Sequence, residues 1–423
     1  MREDRKELFN DKRYILEEAG KCLNCAGKPC EKFGCPMNTK IPSFINLIKE
    51  GKIEEAYYLL NENNMFSHIC SIICPQEEQC EGKCVRGING EPNKIGLLEE
   101  YVNYCAKEMG VKPHKIVIEE ERKERIAVVG SGPSGLECAL ELRKKGYQVD
   151  VYEKESKIGG LLEYEIPDFR LDKKYLHDIV KILKEIGINF YTKKELGKNL
   201  FIEALRNEYD AVFVGIGAEN SNMYDIGTDI NVYDSSTFLR SYYNKEYIDN
   251  LGKVIVIGGG NVAMDCSRVA LKMGAETSTI CYRRNEEYMP ARKIELEDAL
   301  AEGVKKEFLT RVISFDNKKA KCIRTEIVNG KAQDVAGTEF TIEADTIVFA
   351  IGLKPNSKLL QNEKFNLKEN GMLSIDEEFM TNIDGVFAGG DVIETKATVC
   401  RALASGKNAA HYIVNYIEDK GVN

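Results

Sequence analysis

Apolar residues in the first 110 positions recur every three or four residues, on both sides of Gly51. The series consists of Ile41, Phe44, Ile45, Ile48, Ile53, Ala56, Tyr57 and Leu60. This spacing is typical of helices that bury one face, and no strand pattern occurs in the same region. We therefore predict a helical N-terminal segment that ends before the charged stretch 119–125, which we interpret as a linker.

From Arg125 onward, short β-branched runs alternate with helical segments, which is typical of parallel α/β sheets. Two stretches, 125–153 and 253–284, are alike, because each runs from an apolar strand through a glycine-rich turn and a helix into a second strand. The chain therefore repeats a strand–helix–strand unit rather than a short solenoid period. A length of 423 residues fits two or three domains.

The composition is that of an ordinary globular protein, with 43% hydrophobic and 30% charged residues. The net charge of −9 argues against nucleic acid as a partner, because nucleic-acid-binding proteins usually carry a basic surplus. The charged opening residues are not followed by the apolar core of a secretory signal, and no apolar run is long enough for a bilayer. We expect a cytoplasmic protein with no membrane association.

Fourteen cysteines are unevenly distributed, with nine in the first 105 residues. In a cytoplasmic chain such a cluster indicates metal binding or redox chemistry rather than disulfides. We interpret the five scattered cysteines as small core residues: Cys138, Cys266, Cys281, Cys322 and Cys400.

The first glycine-rich turn follows the apolar strand 126–129 and opens a helix. Its residues are Gly130, Ser131, Gly132, Pro133, Ser134 and Gly135. Such a turn brings the backbone close to a pyrophosphate at a helix N-terminus, and Glu153 at the end of the next strand is placed to accept ribose hydroxyls. The alternative is a tight strand–helix turn without a ligand, but strand, helix and acidic residue together favour dinucleotide binding.

A second element, Gly385–Asp391, runs from a strand into a Gly-Gly-Asp turn, and a helix follows from about Thr398. It resembles the second FAD motif of flavoproteins with two dinucleotide domains. That resemblance implies that Asp391 holds the ribityl chain and that the helix beginning near Thr398 and Val399 points its N-terminus at the flavin pyrimidine. Further positions predicted to contact FAD are Lys154, Gly160, Leu161, Arg170, Gly217 and Gly390.

The second glycine-rich turn follows the strand 254–257, and its candidate contacts are Gly258, Gly260, Asn261, Val262 and Ala263. Its second strand ends in Arg283 and Arg284, where the first unit has Glu153. Guanidinium groups pair with a 2′-phosphate that a carboxylate would repel, so we predict NADPH rather than NADH. The alternative is that both arginines are solvated surface charges. Gly352, after the strand that begins at Val348, is a further predicted contact.

Eight N-terminal cysteines form two runs, Cys22-x2-Cys25-x4-Cys30-x4-Cys35-Pro36 and Cys70-x3-Cys74-Pro75-x4-Cys80-x3-Cys84. Short spacings followed by Cys-Pro are typical of [4Fe–4S] ligation, and eight thiolates match two clusters. Zinc is the alternative, since Cys-x2-Cys also occurs in zinc knuckles. Because Cys138 and Cys266 are each alone in their predicted helices, a disulfide relay beside the flavin is not expected.

Together these motifs resemble the family of the small (beta) subunit of NADPH-dependent glutamate synthase and related FAD, NAD(P)H and iron–sulfur oxidoreductases. The resemblance covers nearly the whole chain and extends to four less common stretches: 159–162, 166–171, 282–284 and 289–291. It implies an α/β fold with two Rossmann-like domains preceded by an α-helical, ferredoxin-like iron–sulfur domain. The expected boundaries are 1–115 for the cluster domain, 116–245 with 345–423 for the FAD domain, and 246–344 for the NAD(P)H domain.

The family also implies a crossed set of cluster ligands. One cluster would be held by Cys22, Cys25, Cys30 and Cys84, and the other by Cys35, Cys74, Cys80 and Glu99. Cys70 is the alternative to Glu99. The chain departs from the family pattern at two places, with four residues rather than three between Cys30 and Cys35, and with 71–73 in place of a Gly-Arg pair.

The resemblance implies hydride transfer from NADPH to FAD and release of single electrons to two [4Fe–4S] clusters. Because hydride transfer needs no acid or base, we expect no catalytic residues beyond those that position the cofactors. The expected partner is a glutamate synthase large subunit, another electron-transferring subunit or ferredoxin, in a hetero-oligomer. Alternatives are a ferredoxin:NADP or electron-bifurcating oxidoreductase, a sulfide dehydrogenase subunit, and, from another class, a zinc-stapled nucleotide-binding protein.

Overall fold

The computed structural model describes residues 3–227, 231–246, 248 and 250–421. Met1 and Arg2, which belong to the charged opening, lie outside these residues. The chain divides into two compact units. The first comprises Met1–Glu163, Asp168–Gly217 and Pro355–Asn423, and the second comprises Tyr164–Pro167 and Ala218–Lys354.

The N-terminal part of the first unit is helical, and residues 3–124 contain no strand, as the apolar spacing predicts. Phe44, Ile48, Leu98 and Val102 are buried in one core, which explains why helices from different parts of this segment pack together. The helices are α1 (Glu3–Asn10), α2 (Lys12–Gly20), α3 (Ile41–Lys49), α4 (Ile53–Asn63), α5 (Ser67–Ile73) and α6 (Ile95–Glu108).

The α/β part of the first unit begins where the charged linker ends. Its elements up to Gly217, where the chain enters the second unit, are β1 (Arg125–Val129), α7 (Pro133–Lys144), β2 (Gln148–Tyr152), α8 (Leu161–Tyr164), α9 (Lys173–Glu185), β3 (Asn189–Tyr191), α10 (Ile202–Glu208) and β4 (Ala211–Val214).

The second unit contains a parallel sheet and a smaller antiparallel one. Its helices are α11 (Ser235–Asn244), α12 (Asn261–Lys272) and α13 (Lys293–Ala301). Its strands are β5 (Asn220–Ser221), β6 (Val232–Asp234), β7 (Lys253–Ile257), β8 (Thr277–Tyr282), β9 (Lys305–Phe308), β10 (Thr310–Asp316), β11 (Lys319–Val328), β12 (Lys331–Asp334), β13 (Phe340–Glu343), β14 (Thr346–Phe349) and β15 (Leu353–Lys354).

The chain then returns to the first unit with α14 (Ser357–Asn362), β16 (Val386–Ala388) and α15 (Val399–Gly421). The first sheet has the parallel order β16-β4-β1-β2-β3, and the second has the parallel order β6-β14-β7-β8-β9. In each sheet the strand order reverses beside the strand that precedes a glycine-rich turn, β1 or β7. Ligands of doubly wound sheets bind at such points, beyond the carboxyl ends of the strands.

The boundaries of the second unit differ from the predicted ones, 246 and 345. β6 pairs with β14, and β14 pairs with β7, so 218–245 and 345–354 belong with the second sheet. β6 is only three residues long, and so short a strand carries no readable alternation. The helical N-terminal segment and the first sheet also form one unit rather than two.

Helices α7 and α15 lie against each other with their backbones in close approach. A Cβ atom built on Gly406 of α15 would lie 2.1 Å from the carbonyl oxygen of Ser134 in α7. Only glycine fits at this crossing, because that separation is far inside van der Waals contact. The crossing fixes α15 relative to the first glycine-rich turn.

We expect Gly406→Ala to destabilise the first unit, because the added methyl group forces the two helices apart. Overpacking of this kind costs about 1–3 kcal/mol, and a thermal denaturation scan would show it as a lower Tm. Gly20→Ala, at the end of α2, is the matched control, since a Cβ there meets no atom within 4 Å. An unchanged Tm for Gly406→Ala would contradict the tight crossing.

Candidate functional site

The first glycine-rich turn has the geometry that a pyrophosphate requires. Gly130 has φ +102°, and a Cβ on it would lie 2.4 Å from the carbonyl oxygen of Gly215. A Cβ on Gly135 would lie 2.0 Å from the carbonyl oxygen of Gly130, so helix and strand pack closely. A Cβ on Gly132 would meet nothing within 4 Å, and α7 begins at the next residue, Pro133. The backbone at Gly132 is therefore open to a ligand anion.

Glu153 follows β2 directly and is buried, as predicted. Its Oε2 accepts hydrogen bonds from the N–H (3.1 Å) and the hydroxyl of Ser131, and its Oε1 accepts one from the N–H of Glu155 (2.8 Å). A carboxylate has about four acceptor positions. The three hydrogen bonds leave one position open, so a second ribose hydroxyl would have to displace one of them, such as a bond from Ser131. The sequence did not indicate this competition.

The other residues predicted to contact FAD follow the carboxyl ends of strands in the same parallel sheet. Gly217 comes after β4 with φ +71°, and Gly390 comes after β16 with φ +79°. A Cβ on Gly160 would lie 3.0 Å from the Cα of Gly132, so the loop 159–162 lies against the first turn. The remaining predicted positions are partly buried: Lys154, Leu161, Arg170, Thr398 and Val399.

Asp391 lies in a short helical turn between β16 and α15. The N–H of Gly390 donates to the hydroxyl of Ser405 (2.7 Å), which fixes this turn to α15. Burial, with a smaller contribution from Glu394, raises the pKa of Asp391 to about 7. A partly buried carboxyl of this kind suits a ligand that brings hydroxyl donors to it.

The second glycine-rich turn, between β7 and α12, is braced by the loop that follows β8. The N–H of Ala291 donates to the carbonyl oxygen of Gly259 (3.0 Å), and the N–H of Arg292 donates to Oδ1 of Asn261 (2.9 Å). A Cβ on Gly260 would meet only the side chain of Pro290, at 3.9 Å. The turn therefore stays open to a ligand while Asn261 is held in place. Val262 and Ala263 lie in the first turn of α12.

Arg283 and Arg284 lie at the carboxyl end of β8, as predicted. Arg283 is exposed. The Nε of Arg284 is buried and has no hydrogen-bond partner, and its guanidinium group lies 5.9 Å from the ring centre of Tyr288. A buried, unpaired guanidinium donor is the kind of group that an added phosphate would satisfy. Gly352 follows β14, the neighbour of β7, with φ +101°.

Four cysteines line one cavity in the N-terminal helical part: Cys22, Cys25, Cys30 and Cys84. These are the four residues that the family resemblance assigns to the first cluster, and the other predicted ligands are absent from its lining. Arg86 also lines the cavity, and its Nε is buried without a hydrogen-bond partner. Thiol donors beside an unpaired guanidinium donor fit an anionic iron–sulfur cluster.

The extra residue between Cys30 and Cys35 is absorbed by a single π-helical turn, Cys30–Gly34. The N–H of Cys35 donates to the carbonyl oxygen of Cys30 at 2.9 Å, across five residues instead of four. Such turns accommodate one inserted residue without shifting the flanking chain. The longer spacing therefore leaves Cys30 in the first cavity with Cys22, Cys25 and Cys84.

The second predicted group lies deeper. Burial raises the pKa of Cys80 well above its ordinary value, with smaller contributions from Glu81, Cys35 and Glu99. Burial likewise raises the pKa of Cys35 to about 12. Burial raises the pKa of Glu99 to about 7, and its Oε1 accepts a hydrogen bond from Ser67 (2.7 Å). The structure thus brings Cys35, Cys80 and Glu99 together.

Cys74, the fourth predicted ligand of the second cluster, is buried like Cys80. Interactions with Cys400 and Cys70, together with burial, raise the pKa of Cys74 well above its ordinary value. Cys70 also receives a hydrogen bond from Nδ2 of Asn64 (3.4 Å). Cys400 is buried, as its interpretation as a core residue predicts, and its thiol donates to Oε1 of Gln79 at 3.1 Å.

Comparisons with known proteins agree with this architecture. The family described as "Pyridine nucleotide-disulphide oxidoreductase" matches residues 88–222 and 124–406, and "Dihydropyrimidine dehydrogenase domain II, 4Fe-4S cluster" matches residues 3–111. The glutamate synthase [NADPH] small chain of Escherichia coli is 33% identical over 95% of this chain and 91% of that one. The chain belongs to the glutamate synthase small-chain family. It is an NAD(P)H-dependent flavin oxidoreductase with an N-terminal [4Fe–4S] domain.

Other relatives in this family belong to different complexes. The NADPH-Fe(3+) oxidoreductase subunit beta of Geobacter sulfurreducens is 31% identical over 91% of this chain and 63% of that one. Among solved structures, FprA of Mycobacterium tuberculosis in complex with NADPH has a TM-score of 0.60 at 18% identity, covering 71% of this chain and 86% of that one. This likeness confirms the predicted pair of Rossmann-like sheets. Among the described residues, no helix is long and apolar enough to cross a bilayer.

We expect the FAD-free form of this protein to bind FAD more weakly as the pH falls below about 7. Ribityl hydroxyls donate to the carboxylate form of Asp391, whose pKa without FAD is raised to about 7, so binding at lower pH must first release a proton. The affinity should fall by up to about tenfold per pH unit. Quenching of flavin fluorescence at pH 8 and pH 6 would measure it.

Asp391→Asn should bind FAD with no such pH dependence. Glu137→Gln is the matched control, because burial also raises the pKa of Glu137 to about 7 although it lies within α7. A pH dependence that persists in Asp391→Asn, or that disappears in Glu137→Gln, would contradict the assignment.

Proposed function

We propose that this protein takes electrons from NADPH to FAD and passes them singly through two [4Fe–4S] clusters to a partner subunit. The observation that carries the proposal is the division of the predicted ligands into two separate groups. Cys22, Cys25, Cys30 and Cys84 share one cavity that Cys35, Cys74, Cys80 and Glu99 do not line, and both sets lie in the same unit as the first glycine-rich turn.

When bound, FAD accepts a hydride from NADPH and releases its electrons one at a time to iron–sulfur clusters. The chain contributes binding and orientation. The turn at Gly130 and the open backbone at Gly132 receive the pyrophosphate, Glu153 holds a ribose, and Asp391 holds the ribityl chain. The N-terminus of α15 places a positive dipole end near the flavin pyrimidine.

NADPH is the preferred electron donor in this proposal. Arg283 and Arg284 stand at the end of β8, the position at which an NADH-binding fold usually carries a carboxylate. The buried Nε of Arg284 has no hydrogen-bond partner, which supports the binding of an anion nearby. The side chain of Arg283 is exposed and can turn toward the same anion. Two guanidinium groups can hold a phosphate through charge-assisted hydrogen bonds.

The cysteine arrangement supports iron–sulfur clusters over zinc. Zinc draws four ligands to within about 2.0–2.3 Å of one ion. In the part of the chain that the structure describes, no group of three or more Cys, His, Asp or Glu side chains is arranged to hold a single metal ion. The four cysteines instead line a cavity together with Arg86, whose buried Nε has no hydrogen-bond partner, and such a donor suits an anionic cluster.

The two cysteine groups differ in depth, which supports an order of electron transfer. Cys74 and Cys80 are buried, whereas Cys35 and the four cysteines of the first cavity are partly exposed. Exposed apolar side chains adjoin those four in sequence: Leu23, Phe33, Val85 and Ile88. Exposed apolar residues around a redox site are typical of a partner-binding surface. We infer that electrons pass from the flavin to the deeper group, then to the first group and out.

The partner in this proposal is a glutamate synthase large subunit. The E. coli relative is named the small chain of that enzyme, and other relatives are the beta subunits of an NADPH-Fe(3+) oxidoreductase and of an NADP(+)-dependent formate dehydrogenase. What these proteins share is the electron-input module, and the partner determines the final reaction. Ferredoxin, or the partner subunit of an electron-bifurcating enzyme, is the second candidate partner, because the same electron-input module could serve it.

We expect Arg283→Glu to lower kcat/KM for NADPH by roughly 10- to 100-fold, the loss of hydrogen bonds to a charged group, and to leave kcat/KM for NADH nearly unchanged. Steady-state reduction of a dye with each nucleotide measures the ratio. Lys305→Glu is the matched control, because Lys305 is an exposed cation on the neighbouring strand β9. The phosphate role of Arg283 is wrong if the two variants have the same NADPH/NADH ratio.

We expect Cys84→Ser to retain reduction of FAD by NADPH but to lose electron output to a one-electron acceptor. Its bound iron should drop by about half, because one of two clusters loses a ligand. Anaerobic flavin bleaching, iron and sulfide assay and EPR measure these effects. Cys105→Ser is the control, since Cys105 lies outside the first cavity. Zinc without iron or sulfide in the wild-type protein would overturn the proposal.

A further inference from the structure

The aromatic ring of Tyr288 is exposed on the second unit. Tyr288 ends the short helical turn Glu286–Tyr288 that follows β8, and 41% of its surface is accessible. A ring in this position gains little from the core. Single exposed rings are common on proteins, so the neighbours of Tyr288 decide whether it marks a binding site.

The backbone of Tyr288 is held against the second glycine-rich turn. Its N–H donates to the carbonyl oxygen of Asn285 (3.2 Å), and its carbonyl oxygen accepts a hydrogen bond from the hydroxyl of Tyr282 (2.6 Å). The ring of Tyr282 in turn covers Gly259, where a Cβ would lie 2.5 Å from a ring carbon. Tyr288 is therefore fixed beside the turn that is predicted to receive NADPH, while its side chain is left exposed.

Arg284 lies next to the same ring. Its guanidinium carbon is 5.9 Å from the ring centre, near the outer limit of about 6 Å for a cation–π contact. At that distance the exposed part of the ring stays open to a second group. The Nε of Arg284 is buried without a hydrogen-bond partner, so it offers a donor to an anion. The two side chains thus combine a phosphate-binding group with an open aromatic face.

A 2′-phosphorylated adenosine fits this combination. Its 2′-phosphate and its base are attached to neighbouring carbons of one ribose, so a phosphate on Arg284 brings the base close to Tyr288. Adenine stacks on aromatic side chains, because every base presents a flat π face. An apolar surface of another protein would also cover the ring, but it would leave the donor of Arg284 unsatisfied.

We propose that the ring of Tyr288 stacks on the adenine base of NADPH. The inference rests on the proposed function, because it assumes a 2′-phosphate bound to Arg284. Tyr288 and the arginines then have different roles. The arginines distinguish NADPH from NADH, whereas the ring contacts a base that both nucleotides carry. Loss of the ring therefore weakens the binding of both nucleotides by a similar factor and leaves the NADPH/NADH ratio unchanged.

The experiment uses the full chain loaded with FAD, as wild type, Tyr288→Leu, Tyr288→Phe and Glu287→Gln. Calorimetry measures the Kd of 2′,5′-ADP, which carries the base and the 2′-phosphate but no nicotinamide. We expect Tyr288→Leu to raise this Kd roughly five- to a hundredfold, the range that one base–aromatic stack contributes. Tyr288→Phe keeps the ring and should bind like the wild type. Glu287→Gln, at an exposed neighbour in the same turn, should do so as well.

Steady-state kinetics give a second measurement. Tyr288→Leu should raise KM for NADPH and for NADH by a similar factor and leave kcat unchanged. Reduced nicotinamide mononucleotide, which has no adenine, should reduce FAD equally well in the wild type and in Tyr288→Leu. A general structural fault in the second unit would slow this reaction too, so the comparison separates stacking from misfolding.

An unchanged Kd for 2′,5′-ADP in Tyr288→Leu would overturn the inference. An equal loss in Tyr288→Phe would also overturn it, because the hydroxyl group rather than the ring would then bind. Should Tyr288→Leu not fold, NMR decides: nuclear Overhauser contacts between tyrosine ring protons and adenine H8 are expected in the wild type and not in Tyr288→Phe, and their absence from the wild type contradicts stacking. A wild-type protein that neither binds 2′,5′-ADP nor is reduced by NADPH contradicts the proposed function instead.

Discussion

The close crossing of α7 and α15 is the contact on which the rest of the first unit depends. α7 begins at the turn that receives a dinucleotide, and Gly406 of α15 lies against the backbone of Ser134. The residue before it, Ser405, accepts a hydrogen bond from the N–H of Gly390. At the start of the same helix, Cys400 and Thr398 bind Gln79 of the cysteine loop. A single helix therefore contacts both predicted FAD elements and the loop that carries Cys74 and Cys80.

Local sequence patterns predict those elements that are built from residues close together in the chain. The strand, turn and helix around Gly130 and around Gly258 are found where the glycine spacing indicates, because each turn is built from neighbouring residues. The division of eight cysteines into two groups could not follow from spacing alone, since Cys84 joins residues some sixty positions earlier. It came from the family resemblance, and the shared cavity supports it. Arg86 was missed because nothing local to it marks a redox site.

The boundary of the second unit also depends on residues far apart in the chain, so local patterns do not indicate it. β6 has three residues, and its place in the second sheet is set by pairing with β14, more than a hundred positions later. Parallel pairing across such a distance leaves no trace in a window of ten residues. The inserted residue after Cys30 is the reverse case, because a departure visible in the sequence has little consequence. One π-helical turn absorbs it, and Cys30 still lines the first cavity.

In the proposed electron path, the burial of Cys74 and Cys80 favours one order of electron transfer between the two cysteine groups. Each reduction adds a negative charge, and burial penalises that charge more at the deeper group than at the partly exposed one. The unpaired Nε of Arg86 stabilises an added charge at the first group. With clusters at both sites, an electron is therefore more stable at the outer one.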